Sequence, residues 1–337
     1  MTSSIDLPPV TDGAMKVTMK SFCTKARMPP DDLSLAGQTA IVTGANAGLG
    51  LTCARMMLEH KLSHLIITVR SKEKGEAAAT TLRDQHPTAK IEVWMLDMLS
   101  YQSIQDFANR CSTLSRIDVV ILNAGMVRQD FHLSPTGHEE IFQVNYLSTA
   151  LLAILLLPVL KPKKPAKKPA RLTIVNSGTS LMAKFPEHEK ESIIAGFDDE
   201  KIFDPVDRYA TSKLVGHLFI IKLVEYAKKE DVVVNLVDPG LCKGTGLHRH
   251  LNGGIRAIFT AVKAVTARSL EEGASTYLDA ALVRGEETHG SYLMDWDIYP
   301  FAPFVYTEEG KTSRERLWDE TLQELEFAGV RSILDSM

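Results

Sequence analysis

The sequence contains few cysteines, and its start lacks the features of a secreted chain. None of the four cysteines belongs to a CxxC pair, and their spacing indicates no disulfide framework. We therefore expect a reducing compartment. The cysteines are Cys23, Cys53, Cys111 and Cys242. No basic stretch followed by an apolar one occurs near the N-terminus, so no signal peptide is expected.

Long apolar runs are also lacking. The longest, residues 147–160, is interrupted by Pro158, and crossing a bilayer takes roughly 20 apolar residues. We interpret this run as part of a buried helix. No transmembrane segment and a cytoplasmic location are therefore predicted.

A large excess of positive or negative charge is absent as well. The 38 Lys and Arg residues and the 42 Asp and Glu residues give a formal net charge of −4, which does not favour nucleic acid or an anionic membrane as a partner. The local exception is the Lys/Pro-rich segment 161–171. No aromatic residue is interleaved with its lysines, so we interpret it as a solvated loop rather than a binding patch.

The histidine pairs do not predict a metal site. His60 and His64 are four residues apart, and His248 and His250 flank Arg249. Neither pair has a third ligand at a spacing that is typical of metal sites. We expect no bound metal.

From residue 38 onward, short apolar runs alternate with segments of helical character. Strands are predicted at 38–43, 64–69, 91–97, 117–123, 171–177 and 232–238. Helices are predicted at 51–62, 72–86, 103–114, 137–160 and 208–229. This alternation predicts an α/β fold with a doubly wound parallel sheet in a single domain, because a helix forms each crossover between parallel strands. The strands are nearly all apolar, as expected for a sheet covered on both faces.

The regular pattern divides the chain into three parts. Residues 1–36 are polar and contain two Pro-Pro pairs, so we expect an extension that wraps the domain or is partly disordered. Residues 37–300 are predicted to form the α/β domain, and residues 301–337 a C-terminal helical extension. Segment 182–207 interrupts the alternation, which favours a segment that covers a substrate.

A glycine-rich turn, TGANAGLG at 43–50, joins the first predicted strand to the first helix. Gly44, Gly48 and Gly50 give the backbone freedom and the close approach that a dinucleotide pyrophosphate requires. The helix N-terminus also offers free N–H groups to phosphates. We predict a Rossmann-type dinucleotide site that includes Asn46 and Leu49. The alternative is a tight turn with no ligand.

The end of the second predicted strand carries Arg70 and no acidic residue. An acid there holds the 2′-hydroxyl of NAD, whereas a guanidinium binds the 2′-phosphate of NADP. NADP(H) is therefore the predicted cofactor, and an ordinary surface arginine is the alternative. Asp97, at the end of the third predicted strand, is expected to accept a hydrogen bond from the adenine amino group.

Two further strand ends are predicted to face the cofactor. The carboxyl ends of parallel strands form the ligand-binding edge of such sheets. Asn123, Ala124 and Gly125 end the fourth predicted strand, where small residues let the backbone approach the cofactor. Pro239 and Gly240 follow the sixth, near the expected nicotinamide.

Tyr209 and Lys213 lie one turn apart on one face of a predicted helix. The lysine and a positive nicotinamide would lower the pKa of the phenol from about 10 in free tyrosine, which makes it a general acid and base. Ser177, at the end of the fifth strand, is expected to hold the substrate oxygen. Asn145, in the long helix, is expected to orient a water that leads to Lys213. The alternatives are that Ser177 starts a turn and that Asn145 is a polar core residue.

In combination, these motifs resemble the short-chain dehydrogenase/reductase family. The motifs TGANAGLG, Asn123-Ala124-Gly125, Asn145, Ser177, Tyr209-x-x-x-Lys213 and Pro239-Gly240 occur in the order of that family, across about residues 36–295. VRSKEKGEAA is similar to the NADP-preferring, retinol-dehydrogenase-like branch. FDPVDRYATSKL is similar to fungal members associated with secondary metabolism.

The resemblance implies a role for each matched residue. Tyr209 would be the proton donor and acceptor, and Lys213 would hold the ribose and lower the pKa of Tyr209. Ser177 would orient the substrate, and Asn145 would complete a proton relay. Thr245 would contact the carboxamide end of the cofactor.

Three departures from the family pattern stand out. Ser177 and Tyr209 are 32 positions apart, which indicates an inserted segment. Thr245 comes one residue later than usual after Pro-Gly, and Asn176 stands where a second serine is common.

The expected function is NADP(H)-dependent interconversion of a carbonyl and an alcohol on a small metabolite. An apolar substrate, in secondary-metabolite biosynthesis, is indicated by Met182, Phe185, Phe197 and Leu247. The alternatives are a catalytically silent Rossmann-fold binding protein and a dehydratase or epimerase of the same family. Because related enzymes pair through the helix that contains 147–160, we also expect a homo-oligomer, with burial inside the chain as the alternative.

Overall fold

One sheet with helices on both faces forms the centre of the fold. The computed structural model describes residues 3–12, 14–164, 168–244 and 267–337. Within these residues, eight strands form one sheet in the order β3-β2-β1-β4-β5-β6-β7-β8. The strands are β1 Thr39–Thr43, β2 His64–Val69, β3 Lys90–Met95, β4 Val119–Leu122, β5 Ala170–Val175, β6 Val232–Val237, β7 Tyr292–Met294 and β8 Asp297–Tyr299. Neighbours pair in parallel, except that β7 and β8 are antiparallel.

The helices build a separate apolar core on each face of the sheet. They are α1 Ala14–Cys23, α2 Gly48–Glu59, α3 Lys72–Gln85, α4 Tyr101–Cys111, α5 Glu140–Lys163, α6 Ile193–Phe197, α7 Pro205–Leu223, α8 Leu270–Leu278, α9 Glu308–Glu324 and α10 Val330–Asp335. Helices α4, α5 and α7 pack on one face, and α2, α3 and α8 on the other. Neighbours in β1 alternate between the cores, with Ile41 in the first and Val42 in the second. The predicted Rossmann-type doubly wound α/β fold is confirmed.

Strand β1 lies between β2 and β4, so the order of the strands reverses at this point. In open α/β sheets, ligands bind beyond the carboxyl ends of the strands at such a reversal. Residues 44–50 follow β1, residues 123–125 follow β4, and residues 176–177 follow β5. The fold therefore brings the predicted cofactor and catalytic segments to one edge of the sheet.

The apolar run 147–160 belongs to helix α5. Glu139 caps its start by accepting hydrogen bonds from Ile141 N at 2.9 Å and from Phe142 N at 3.0 Å, so the helix begins later than predicted. By length and composition it resembles a membrane span, but 83% of its most apolar stretch is buried inside the fold. It is thus the core helix that the sequence predicts. Burial accounts for its apolar side chains, and the homo-oligomer stays a prediction.

The start of the N-terminal extension packs against β7. Ser4 Oγ accepts a hydrogen bond from Tyr292 N at 2.8 Å and donates one to Tyr292 O at 3.2 Å. Tyr306 Oη donates to Ser4 O at 2.7 Å. This part of the extension wraps the domain, which is one of the two expectations for it.

Lysines of the Lys/Pro-rich segment bind oxygen atoms of their own chain. Lys161 Nζ donates to the carbonyl oxygen of Met337 at 2.9 Å, and Lys164 forms an ion pair with Asp231. These contacts accommodate the local positive charge without an external anion. The interpretation of the whole segment as a loop is wrong at its ends, because residues 161–163 continue helix α5 and residues 170–171 begin β5.

Candidate active site

The glycine-rich turn connects β1 to α2 at the carboxyl edge of the sheet. Gly44 and Gly48 have φ angles of 64° and 58°, which glycine adopts at low cost. Gly50 is needed for space, because a Cβ there would lie 2.5 Å from Asn123 Nδ2 and 2.8 Å from Gly44 O. Ala47, the N-cap residue of α2, makes no side-chain hydrogen bond to the helix. The first N–H groups of α2 therefore have no capping side chain and suit a bound anion.

Asn123 holds this turn from the end of β4. Its Nδ2 donates to Thr43 O at 2.8 Å and to Gly44 O at 3.2 Å. Ala124 N donates to Thr43 Oγ1 at 2.9 Å. The end of β4 thus fixes the start of the glycine-rich turn by hydrogen bonds, and it also brings small residues to the edge of the sheet.

The residues predicted to bind the adenosine half lie along the same edge. Asn46 and Leu49 are half-buried in the glycine-rich turn. Arg70 directly follows β2, is exposed, and has no ion-pair partner within the described part of the chain. Strand β3 ends two residues before Asp97, whose Oδ1 accepts a hydrogen bond from Leu99 N at 3.0 Å. Both charged groups therefore sit on loops just beyond their strands.

Ser177, Tyr209 and Lys213 converge beyond the end of β5. The Ser177 side chain lies close enough to the Tyr209 hydroxyl to lower the pKa of the phenol. Lys213 Nζ lies 5.9 Å from the centre of the Tyr209 ring and donates to Val175 O at 2.9 Å. Ser177 also starts a turn, since its Oγ accepts a hydrogen bond from Thr179 N at 3.3 Å.

Asn145 is buried in a π-helical turn of α5, and its side-chain amide bonds to Met126 and Ser212. Its Oδ1 accepts a hydrogen bond from Met126 N at 2.9 Å, and its Nδ2 donates to Met126 O and to Ser212 Oγ, each at 3.0 Å. Asn145 and Lys213 line one small cavity. A Cβ on Gly125 would lie 3.2 Å from Asn145 Oδ1 and 3.8 Å from Lys213 Nζ, so this glycine leaves room where the two meet.

The loop after β6 is fixed by a buried arginine. Gly240 has a φ angle of 74°. Arg268 Nη1 donates to Pro239 O at 3.1 Å, and the same guanidinium forms an ion pair with Asp295. Thr245, the predicted contact of the carboxamide, lies outside the described residues.

The sequence of this chain is similar to those of known proteins. Residues 38–186 match the model of the short chain dehydrogenase family. The short chain dehydrogenase/reductase mfmJ of Annulohypoxylon moriforme is 50% identical over 341 residues, which cover 100% of this chain and 99% of that protein. The chain belongs to the short-chain dehydrogenase/reductase family. The short chain dehydrogenase virL of Hypocrea virens is 43% identical over 315 residues, which cover 93% of this chain and 92% of that protein.

Two solved structures share the fold of this chain. The 3-oxoacyl (acyl-carrier-protein) reductase of Agrobacterium tumefaciens with NADP bound has a TM-score of 0.58 and 19% identity, covering 78% of this chain and 94% of that one. The Pseudomonas aeruginosa RhlG/NADP active-site complex has a TM-score of 0.58 and 22% identity, covering 80% and 97%.

Asn176 gives this short-chain dehydrogenase/reductase a link that a serine is too short to make. Its Nδ2 donates to Lys213 O at 3.0 Å, and its Oδ1 accepts from Ser177 N at 2.6 Å. The amide therefore connects the end of β5 to the backbone of α7. A Cβ on Gly216 would lie 2.9 Å from Asn176 Nδ2, so a glycine on this face of α7 leaves room for the amide.

Tyr277 is a supporting residue that the sequence analysis missed. Its hydroxyl donates to Asn123 Oδ1 at 3.2 Å, and Asn123 in turn holds the glycine-rich turn. Tyr277 lies on α8, more than 150 residues away in the chain. No local sequence motif marks such a contact.

Burial shifts the pKa values of Tyr209, Lys213 and Asp238. Burial raises the pKa of Tyr209 to about 12, although the nearby Ser177 side chain acts in the opposite direction. Burial lowers the pKa of Lys213 to about 8. The buried carboxylate of Asp238, whose own pKa burial raises to about 6, raises the pKa of both groups. Among the protein groups, burial therefore dominates the pKa of Tyr209, and the expectation that Lys213, together with a positive nicotinamide, lowers this pKa stays a prediction.

Two aromatic residues that were expected to indicate an apolar ligand belong to the core. Phe185 and Phe197 are fully buried, and the Phe197 ring stacks on Phe142 with centroids 3.8 Å apart. Met182 is 47% exposed, whereas Leu247 lies outside the described residues. The presence of apolar residues in an inserted segment does not show whether they line a ligand pocket or pack in the core.

No group of three or more His, Cys, Asp or Glu side chains in the described ranges is arranged to hold a metal ion. His60 Nδ1 is 3.2 Å from Leu33 O, and His64 Nε2 is 2.8 Å from Glu92 Oε1. This pair therefore has partners within the chain. His248 and His250 lie outside the described residues.

Proposed function

We propose that this protein is an NADP(H)-dependent oxidoreductase that interconverts a carbonyl and an alcohol on a small, apolar metabolite. The observation that carries the proposal is the placement of Lys213 Nζ 5.9 Å from the centre of the Tyr209 ring, with the Ser177 side chain close enough to the Tyr209 hydroxyl to lower its pKa. This group lies at the same edge of the sheet as the glycine-rich turn. A proton donor and a dinucleotide turn at one edge are what carbonyl reduction requires.

The residues present fit a nicotinamide dinucleotide. Gly44 and Gly48 adopt positive φ angles, and α2 begins without a capping side chain, so the turn suits a pyrophosphate. Asn46, Leu49, Gly50 and Asp97 complete the adenosine and phosphate side. The segments Asn123-Ala124-Gly125 and Pro239-Gly240, and Thr245, complete the remainder in this proposal.

Each catalytic side chain has one task in the proposed reduction. NADPH, when bound, supplies the hydride for the carbonyl carbon. Tyr209 gives its proton to the carbonyl oxygen, and Ser177 holds that oxygen by a hydrogen bond. Lys213 binds the cofactor ribose beside Tyr209, and Asn145 lines the cavity through which a proton reaches Lys213. Burial raises the pKa of Tyr209 to about 12, so the phenol holds its proton at neutral pH until the carbonyl oxygen takes it.

The choice of NADP over NAD rests on Arg70. The side chain is exposed at the end of β2 without an ion-pair partner in the described ranges, and solved relatives of the same fold are named as NADP complexes. We expect Arg70→Ala to weaken NADPH binding about 10- to 100-fold, as for the loss of a charge-assisted hydrogen bond, and to leave NADH binding nearly unchanged. Titration of cofactor fluorescence measures both.

The control for Arg70 is Arg331→Ala, which removes the same charge from the exposed surface of α10. It should leave both affinities unchanged. Equal losses of NADPH and NADH affinity in Arg70→Ala would contradict a 2′-phosphate contact.

Transfer of deuterium tests the function itself. NADPH deuterated at C4 of the nicotinamide is mixed with wild-type protein and a panel of aromatic ketones and aldehydes, and the products are analysed by mass spectrometry. We expect an alcohol that carries deuterium on the former carbonyl carbon. Binding of NADPH without any product would favour the catalytically silent binding protein. Loss of water or inversion of a centre without net oxidation would favour the dehydratase or epimerase.

The apolar substrate is supported by side chains around Tyr209. Val206, one turn before Tyr209 on α7, is 80% exposed, and Met182 is exposed next to the Ser177 turn. We further propose a role in secondary-metabolite biosynthesis and a cytoplasmic location. Residues 37–300 form the NADP-binding catalytic domain in this proposal, with extensions at 1–36 and 301–337.

A further inference from the structure

Arg208 directly precedes Tyr209, and its side chain is completely buried. Its Nη1 donates to Phe197 O at 2.8 Å. Its Nη2 lies 3.3 Å from Glu187 Oε1, and its Nε lies 4.0 Å from Glu139 Oε2. The guanidinium thus joins α7 to the start of α5 and to the segment between Ser177 and α7.

This segment, residues 183–204, surrounds the guanidinium with several kinds of contact. Besides Glu187 and the carbonyl of Phe197, the rings of Phe197 and Phe203 lie 4.8 Å and 5.5 Å from the guanidinium carbon. Burial raises the pKa of both Glu139 and Glu187, which shows that the cluster is costly to desolvate. A buried ion cluster adds little stability compared with apolar packing, so we attribute it to the positioning of the segment.

Segment 183–204 also makes hydrogen bonds that do not involve Arg208. Asp198 Oδ1 accepts a hydrogen bond from Glu139 N at 2.7 Å, and Asp198 Oδ2 lies 2.9 Å from His138 Nδ1. On α9, Arg316 donates to the carbonyl of Lys190 at 2.6 Å, and Glu320 accepts from Ile194 N at 2.9 Å. Segment 183–204 is therefore bound by the buried side chain of Arg208 on α7 and, separately, by Arg316 and Glu320 on α9.

The ends of segment 183–204 adjoin both halves of the proposed proton-transfer pair. It follows the short helix Gly178–Met182, which Ser177 caps, and it ends at Asp204, which caps α7 by accepting from Val206 N at 2.9 Å. Lys184 N also donates to Asp207 Oδ1 at 2.9 Å. A shift of this segment would therefore change the distance between Ser177 and Tyr209.

From these contacts we infer that Arg208 is a positioning residue that holds segment 183–204 against α7 and so fixes the substrate side of the site. This inference rests on the proposed function for its kinetic consequence. It concerns neither cofactor binding nor proton transfer by Arg208 itself. Substitution of Arg208 should impair turnover of the substrate and leave the affinity for the cofactor unchanged, because the glycine-rich turn is held by other residues.

The test compares Arg208→Met with Arg208→Lys and with the matched control Arg171→Met. Arg171 donates to the carbonyl oxygens of Gly285 and Arg284 from the opposite end of β5. Arg208→Met should lower kcat about 100-fold, as expected for a displacement of about 1 Å, and should raise KM for phenanthrenequinone. NADPH affinity should change less than about twofold. Arg208→Lys should recover part of the loss, and Arg171→Met should show none of it.

Amide hydrogen exchange measures the position of the segment without any substrate. We expect exchange in residues 186–203 to rise about tenfold or more in Arg208→Met, with exchange in α2 unchanged. Should Arg208→Met fail to fold, Asp198→Ala loosens the same segment from its half-exposed side and should raise the same exchange. Unchanged exchange in the folded variants, or equal losses of NADPH affinity and kcat, would overturn the inference. Absence of any carbonyl reduction by wild-type protein would instead refute the proposed function, and exchange and NADPH affinity would then decide the inference alone.

Discussion

Tyr209→Phe is expected to lower the rate of NADPH-dependent carbonyl reduction by about 10²- to 10⁴-fold, the usual contribution of a general acid. The substitution removes the hydroxyl beside Ser177 and keeps the aromatic ring. The affinity for NADPH should stay close to that of the wild type, because Lys213 and the glycine-rich turn are unchanged. Steady-state kinetics and cofactor titration on the same preparation measure the two effects separately.

A matched control removes a hydroxyl elsewhere. Tyr226 stacks on Trp318 with ring centroids 5.7 Å apart, far along the chain from the glycine-rich turn and beyond the end of α7. Tyr226→Phe should retain full turnover. If Tyr209→Phe also retained it, Tyr209 would not be the proton donor and the proposed reaction would need another acid.

Gly50→Ala is expected to destabilise the protein by about 3 kcal/mol and to weaken NADPH binding by more than about tenfold, since loss of one phosphate hydrogen bond is worth that much. The new methyl group would lie 2.5 Å from Asn123 Nδ2 and 2.8 Å from Gly44 O. The turn or Asn123 must therefore move. Urea unfolding and NADPH titration test the two parts.

Gly48→Ala provides the comparison within the same turn. A Cβ on Gly48 meets no atom within 4 Å, but the residue has a φ angle of 58°. The expected cost is about 1 kcal/mol of backbone strain without displacement of Asn123. Equal effects of the two substitutions on stability and affinity would contradict the packing argument for Gly50.

Much of the fold could be predicted because the strands are buried on both faces. Residues 64–69 form β2 as predicted, since a short, mainly apolar and β-branched run between polar segments is typical of a strand covered on both sides. The glycine-rich turn was predictable for the same kind of reason, because positive φ angles and close packing leave a local mark in the sequence. Tyr209 and Lys213 were identified from helical spacing and strand order.

Other parts of the fold left no comparable mark. Strands β7 and β8 have three residues each, and their connecting turn places Asp295 and Trp296 at φ angles of 56° and 62°. Turns of this kind usually contain asparagine or glycine, so this hairpin could not be predicted from local residue types. Asn176, Tyr277 and Arg208 act through partners that are distant in sequence, which only the tertiary structure brings together.

The hydrogen bonds between α9 and segment 183–204 join two stretches of chain that are more than 100 residues apart. Both stretches lie almost wholly beyond residue 186, where the match to the family model ends. A change in one stretch would have to be accommodated by the other, so we expect them to diverge as a matched pair among relatives. An exchange of substrate preference between two such enzymes would then require transplanting both stretches together, the C-terminal helix included.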